Sequence, residues 1–262
     1  MSQQADLNNR LELYGELTEI VAAMKNLAQV ELHRINRMTA TQQSAWQLAR
    51  QALALVQQRT PAMPVAEPVI HLVLGSERGF CAGFNEHLLN VLAQRDDPIS
   101  TLWIMGSRVA AHLDEATIGW QTPAPVSADD VVPCLQRLLD QLGNGRTLRL
   151  LSHTADGVQW QTLWPQRIDI SDSATPVPAS LQLNLLPAVL QEQLQWQLLQ
   201  QSLLYALLQS LRTENRLRLQ QMEGARDHLA TLMQDLQMQR NRLRQQAIVE
   251  EIEVILADRD WA

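Results

Sequence analysis

Apolar residues recur at steps of three and four along both ends of this chain and lose that rhythm in the middle. From about Ala5 to Gln58, one seam runs through Leu7, Leu11, Tyr14, Leu17, Val21, Met24, Leu27, Ala28, Leu32, Ile35, Met38, Ala45, Ala49, Leu53 and Val56. That spacing predicts a single long helix. Pro61, Pro64 and Pro68 end it. A second seam, from about Ala188 to Asp258, runs through Leu190, Leu194, Leu198, Tyr205, Leu208, Leu211, Leu219, Met222, Leu229, Leu232, Leu236, Leu243, Ile248, Ile252 and Ile255. Gly224 inside it costs about 1 kcal/mol against alanine, which the rest of the pattern outweighs. At ~1.5 Å per residue, helices of about 54 and 71 residues would be roughly 80 and 105 Å long. Neither fits inside a globule of this mass, and neither stripe has a core of its own. An antiparallel coiled coil buries both.

The middle alternates strands and helices. Val69 to Leu74 is a short branched apolar run, the mark of a buried strand. Gly75 to Asn85 reads as a glycine-bearing turn into a helix over about Asn85 to Gln94. Thr101 to Met105 reads as a strand, Ser107 to Leu113 as a short helix, and Ala128 to Leu142 as a longer one. Thr147 to Ser152 and Val158 to Leu163 read as strands, flanked by Gly143, Gly145, Gly157 and Pro165. Their connection is short enough for an antiparallel hairpin. This order predicts an α/β layer, small and Rossmann-like, with a mainly parallel sheet. Ser171 to Pro187 is a proline-bearing connector. The expected division is 1–60 for the first coiled-coil helix, 61–187 for the α/β domain and its connectors, and 188–262 for the second helix.

Composition narrows the function. A net charge of −7, with no basic stretch interleaved with aromatics, argues against nucleic acid. Cys81 and Cys134 lie far apart, and a reduced compartment is the simplest reading. The polar start (Ser2, Gln3, Gln4, Asp6) has no signal-peptide character, and no apolar run is long enough to span a bilayer. Direct membrane insertion is therefore not expected.

Candidate chemistry is sparse. Gly75, Gly79 and Gly83 are spaced by fours with no Lys-Ser/Thr after them, so they do not make a phosphate loop, and GxGxxG is absent. Ser76 in GSERG sits one place early for a nucleophile elbow. His33, His71, His87, His112, His153 and His228 lack metal-ligand spacing and read as surface or packing residues. Cys81 follows a strand and precedes a helix, where a thiolate would be stabilised. It reads either as a reactive thiol or as a small residue packed in a tight turn. Arg240, Arg242 and Arg244, followed by Glu250, Glu251 and Glu253, read as a solvated face. No cofactor, metal or catalytic residue is expected.

Ser76-Glu77-Arg78-Gly79-Phe80-Cys81-Ala82-Gly83-Phe84-Asn85 resembles the S-D-R-G-L-C-G-G-L-N segment of the gamma subunit of F-type ATP synthases. Ala23-Met24-Lys25-Asn26-Leu27-Ala28, with Leu32 and Arg34, is similar to that family's A-M-x-M-V-A…L-R-R signature. Asn241-Arg242-Leu243-Arg244-Gln245 with Ile248 is similar to its N-R-x-R-Q-A-x-I-T segment. Ser210, Glu214-Asn215 and Met222 match more loosely. Glu31 stands where the family usually has Lys, Asn26 where it has Met, Val249 where it has Thr, and Arg240 where it has Tyr. The family's shaft tends to be basic and this chain is acidic. The resemblance is to a divergent member, and an alternative F-type complex is one setting for it.

The resemblance implies a central rotor stalk, coupling ion flow through a membrane ring to conformational change in a catalytic ring. It has no catalytic site of its own. The implied partners are the alpha and beta subunits, the epsilon subunit and the c-subunit ring. The implied location is the cytoplasmic face of the bacterial inner membrane, as part of a complex. Met24, Arg242 and Gln245 are the implied ring contacts. Gly79, Cys81, Gly83 and Asn85 form the motif turn, in which Gly79 and Gly83 are expected to allow positive φ or close backbone approach. A structural coiled-coil adaptor would explain the seams but not SERGFCAGFN. A small α/β enzyme with helical dimerisation arms would need a polar constellation at the strand ends.

Overall fold

The computed structural model describes residues 3–61, 63–65, 67–95, 99–143, 146–168 and 185–259. Most of the Ser171–Pro187 connector, Gly145 and the side chain of Ile255 lie outside the described residues. Two long helices, α1 (Gln3–Gln57) and α5 (Pro187–Arg259), flank an α/β segment. Between them come β1 (Ile70–Leu74), α2 (Phe84–Ala93), β2 (Thr101–Met105), α3 (Ser107–Ala110), β3 (Ile118–Thr122), α4 (Val131–Leu142), β4 (Leu148–Thr154) and β5 (Gly157–Trp164). The chain divides into two compact units, residues 29–217 and residues 1–28 with 218–262.

The larger unit is built on a five-stranded sheet of order β3-β2-β1-β4-β5. Its first four strands are parallel and β5 closes an antiparallel hairpin with β4. The strand Ile118–Thr122 escapes the sequence pattern, because Gly119 interrupts its short apolar run. All five β1 residues are buried, as a central parallel strand requires. On one face, Ile70, Leu72, Leu74, Trp103, Met105, Leu148 and Leu150 pack with α4 (Val131, Leu135, Leu138) and α5 (Leu199, Leu203, Leu207, Leu211). On the other, Val73, Ile104 and Leu151 meet Phe84 and Leu88 of α2 and Val109 of α3.

Within this unit α1 and α5 run antiparallel. Trp46 stacks on Tyr205 at 5.8 Å and donates from Nε1 to Ser202 Oγ at 3.0 Å, while Gln191 near the start of α5 donates to the Pro61 carbonyl at 3.2 Å. Helix α5 is buried on more than one face here, because it lies between α1 and the sheet. Glu31 caps the 3-10 turn that leads into α4, its Oε2 accepting the Ala128 N–H at 2.9 Å. A carboxylate suits that site, where helix-start N–H groups point outward. A lysine there would have no acceptor to offer.

In the smaller unit, α1 and α5 are again antiparallel. Lys25 Nζ pairs with Glu223 Oε1 at 3.1 Å, and Thr18 Oγ1 lies 3.8 Å from Met233 Sδ. The buried ladder of α1 differs from the apolar seam. Leu7, Leu11, Tyr14, Thr18, Val21, Lys25, Ala28, Leu32, Ile35, Thr39, Gln42, Trp46, Ala49, Leu53 and Val56 are all buried or half-buried, at strictly alternating steps of four and three. Leu17, Leu27, Met38 and Ala45, expected in the seam, are exposed. A strict heptad keeps one line facing the partner helix, so it overrides the local attraction of a leucine one position away. On α5, Ile248 and Ile252 are also exposed.

Candidate functional site

The SERGFCAGFN segment leaves the carboxyl end of β1, and the ends of β2 and β3 converge on it. Gly75 N–H donates to Met105 C=O at 2.7 Å, and Gly106 N–H to Thr122 C=O at 2.9 Å. Arg108 N–H donates to Ser76 C=O at 3.2 Å. This approach of backbone to backbone is why glycines stand there. A Cβ at Gly75 would overlap Val109. Gly106 has φ +110, and a Cβ there would lie 2.7 Å from the Gly75 carbonyl carbon and 2.8 Å from Ser76 O.

The carboxylate of Glu77 ties the three loops together. Its Oε2 accepts the Ser107 N–H and the Ala124 N–H, each at 3.1 Å. One oxygen thus satisfies donors from the loops after β2 and β3. Glu77→Ala leaves both N–H groups without this acceptor and is expected to cost about 2–3 kcal/mol, with Glu77→Gln costing less because an amide oxygen still accepts. Urea denaturation of the three chains reads that order.

Within the turn, Ser76 N–H donates to Asn85 Oδ1 at 3.0 Å, and Asn85 Nδ2 donates to Ser76 Oγ at 2.8 Å. Ser76 Oγ donates to Arg78 C=O at 3.1 Å. Cys81 is buried with Sγ 3.5 Å from Ser76 Oγ. Asn85 therefore closes the loop onto the first turn of α2, and Cys81 fills the space beneath it. Gly83 has φ +76. Gly79 departs from expectation. Its φ is not positive, and the nearest atom to a Cβ there would be Arg108 Nη2 at 3.6 Å. The left-handed residue is the next one, Phe80, at φ 59.

His153, at the end of β4, packs behind this turn. Its ring stacks on Phe84 at 4.1 Å, and its Nε2 lies 2.9 Å from the Phe84 carbonyl. Burial pulls its pKa below the usual histidine value, partly opposed by that carbonyl. A neutral ring donating from Nε2 fits this geometry. Buried polar residues on α5 also lie near this crest of the sheet, the carboxyl ends of β1, β2 and β3 with their loops. Ser210 and Glu214 line a small cavity with Leu74, Gly75 and Met105. Among the described residues no three acidic, histidine or cysteine side chains could hold a metal ion, and no helix is long and apolar enough to cross a membrane.

Of the motif-turn residues, Gly79, Cys81 and Gly83 thus share one loop, and Asn85 holds it from the first turn of α2. Met24 is half-buried on α1, while Arg242 and Gln245 are exposed on α5, all three in the smaller unit. Sequence reasoning missed Glu77, Gly75 and Gly106 as the residues that hold the crest. The one available signal was the glycine directly after each of the first two strands.

The sequence model of a family described as ATP synthase matches residues 3–258. No curated protein matches the chain. Among solved structures, the chain is similar to one in the rotor of the Euglena gracilis mitochondrial ATP synthase, with a TM-score of 0.61 and 15% identity over 94% of this chain and 98% of that one. A chain of the Euglena gracilis OSCP/F1/c-ring assembly gives 0.60 and 12%, over 97% and 92%. One from the central stalk and c-ring of the Tetrahymena thermophila mitochondrial enzyme gives 0.54 and 15%, over 79% and 99%. At these identities the structural likeness is one of fold, whereas the family match runs through nearly the whole sequence. The chain belongs to the ATP synthase family as a gamma subunit, the rotor shaft of the F-type enzyme.

Proposed function

We infer that this chain turns inside a ring of alternating alpha and beta subunits and that the ring reads the asymmetry of its paired helices. Its 1–60 and 188–262 segments serve as the shaft, and its 61–187 segment as the part facing the epsilon subunit and the c-ring. Nucleotides bind in the ring. An asymmetric shaft presents a different face to each catalytic subunit in turn, and a partner shifts a conformational equilibrium only through such differential contact. The complex sits peripherally on the cytoplasmic face of a bacterial inner membrane. The observation that carries this reading is the family match across residues 3–258 on a helix–α/β–helix chain. Co-purification tests it. The chain should capture an alpha/beta ring with ATPase activity, and alone should neither bind nor hydrolyse ATP. ATPase activity that stays with the chain after every other subunit is removed would sink the reading.

A second apolar line on α1 supports Met24 as a ring contact. Leu13, Leu17, Ile20 and Leu27 are exposed, and Met24 falls among them at the same alternating four and three. This line is one residue out of step with the buried ladder, so it lies about 100° around α1 from the helix pair's seam, flanking it. Arg242 offers a planar fork to a ring carboxylate, and Gln245 can hydrogen-bond in two directions. Met24→Lys adds a cation to that sliding line, able to pair with ring carboxylates in one rotary state and hold back the next. Ion pumping is expected to fall more than ATP hydrolysis in the assembled complex. Equal loss of both would indicate misassembly, and no loss would remove Met24 from the coupling face.

A further inference from the structure

We propose that Gln57 and Gln195 form a torsional clasp that fixes the register of α1 and α5 against the end of the sheet, so that torque passes through the larger unit without slip. The proposal rests on the rotor reading. Directly after β5, residues 165–168 lie across both helices. Gln195 Oε1 accepts the Gln166 N–H at 2.9 Å, and its Nε2 donates to the Gln166 carbonyl at 2.6 Å. Gln57 Nε2 donates to that same carbonyl at 2.7 Å, and its Oε1 accepts the Ile168 N–H at 3.0 Å. Each glutamine amide therefore docks on the main chain at two points, as a neighbouring strand would. The Gln166 side chain continues the network, donating to Ser202 Oγ at 3.2 Å, where Trp46 Nε1 also donates.

Apolar packing alone would hold these helices together but would not index them. Helix α5 carries adjacent leucines at Leu198–Leu199, Leu203–Leu204 and Leu207–Leu208, all in the packed region. Rolling the helix by one residue exchanges one leucine for its neighbour, and burial of hydrocarbon is non-directional. The same roll carries Gln195 away from both of its partners. Gln195 is only 1% exposed, so water cannot replace them, and its buried amide would be left without hydrogen bonds. Setting register is the best-attested use of polar groups inside a helical interface. A shaft under load needs that property, since torque turns a degenerate register into lost motion.

The test uses the assembled complex in sealed vesicles, with Gln57→Met, Gln195→Met and the double variant, which keep side-chain volume. ATP hydrolysis and ion pumping are measured together, and hydrogen exchange is read at the Gln166 and Ile168 amides of the full chain. The expected result for the double variant is retained hydrolysis, a pumping-to-hydrolysis ratio lower by about fivefold or more, the shift that a single ordinary hydrogen bond sets in an equilibrium, and faster exchange at both amides with β1 still protected. Faster exchange with an unchanged ratio overturns the proposal, as does an equal fall of both activities in an intact complex. Failure of the unsubstituted chain to capture any ring sinks the rotor reading itself, a separate outcome visible before any variant is made.

Discussion

Leu211→Asp is expected to unfold the larger unit. Leu211 is 2% exposed and packs in the cluster that joins α5 to the sheet. Truncating such a leucine alone costs about 2–5 kcal/mol. The carboxylate also has to be desolvated or protonated among hydrocarbon, which adds several kcal/mol. Domains of this kind are stable by about 5–15 kcal/mol, so the sum consumes most of that margin. Leu236→Asp is the comparison. Leu236 belongs to the smaller unit, is 9% exposed, and is flanked by exposed Asp235 and Gln237. A carboxylate there can turn toward solvent, and an effect of about 2–3 kcal/mol is expected. Thermal melts followed by far-ultraviolet circular dichroism should show early loss of signal for Leu211→Asp and a smaller change for Leu236→Asp. Unchanged melting in both would argue against the helix pairing.

Gly106→Ala should be nearly as damaging, for a different reason. The residue sits at φ +110, where an L side chain is strained whatever space surrounds it. The added methyl also meets backbone of Gly75 and Ser76 at 2.7–2.9 Å, and backbone cannot rotate aside. Relief requires β1 and β2 to separate at their carboxyl ends, which loosens the hydrogen bonds from Gly75 and Gly106. A loss of about 3–5 kcal/mol is expected, the range of backbone strain combined with core overpacking. Gly79→Ala provides the contrast. Its nearest neighbour is the mobile end of Arg108 at 3.6 Å, and its φ is ordinary. That substitution should be neutral or stabilise by up to about 1 kcal/mol, through reduced freedom of the unfolded chain. Denaturant titrations of both variants decide the matter. A Gly79→Ala chain as weak as Gly106→Ala would return the structural role to the motif glycine.

The sequence disclosed the elements whose own residues determine them. β1 and β2 are runs of branched or large apolar residues bounded by glycine, and they could be read locally. The long helices were legible for the same reason, and so was the hairpin of β4 and β5. The α1 ladder was legible in period but not in phase. Hydrophobicity points to Leu17, Leu27 and Met38, while the structure buries Thr18, Lys25 and Thr39 to some degree. Choosing between neighbouring positions needs the partner helix, where Glu223 and Met233 wait for Lys25 and Thr18. The crest shows the same limit at longer range. Gly83 could be read from its place before a helix. Glu77 could not, because its partners Ser107 and Ala124 come 30 and 47 residues later. The abundance of glutamine is a usual mark of long helices, and nothing local distinguishes Gln57 and Gln195 from their exposed relatives.

The seat taken by the Glu77 carboxylate has a consequence for control of the shaft. In sheets of this architecture, ligands settle outside the carboxyl ends of the parallel strands, held by loop N–H groups. Here the Ser107 and Ala124 donors are already spent on an oxygen belonging to the chain itself. A phosphate-bearing metabolite would have to displace a covalently tethered anion already seated on both donors. These two donors therefore add no ligand-linked state to the sheet, so swings in adenylate levels cannot soften or stiffen it through them. At these two donors the internal anion stands where the very molecules the complex interconverts would otherwise find a grip.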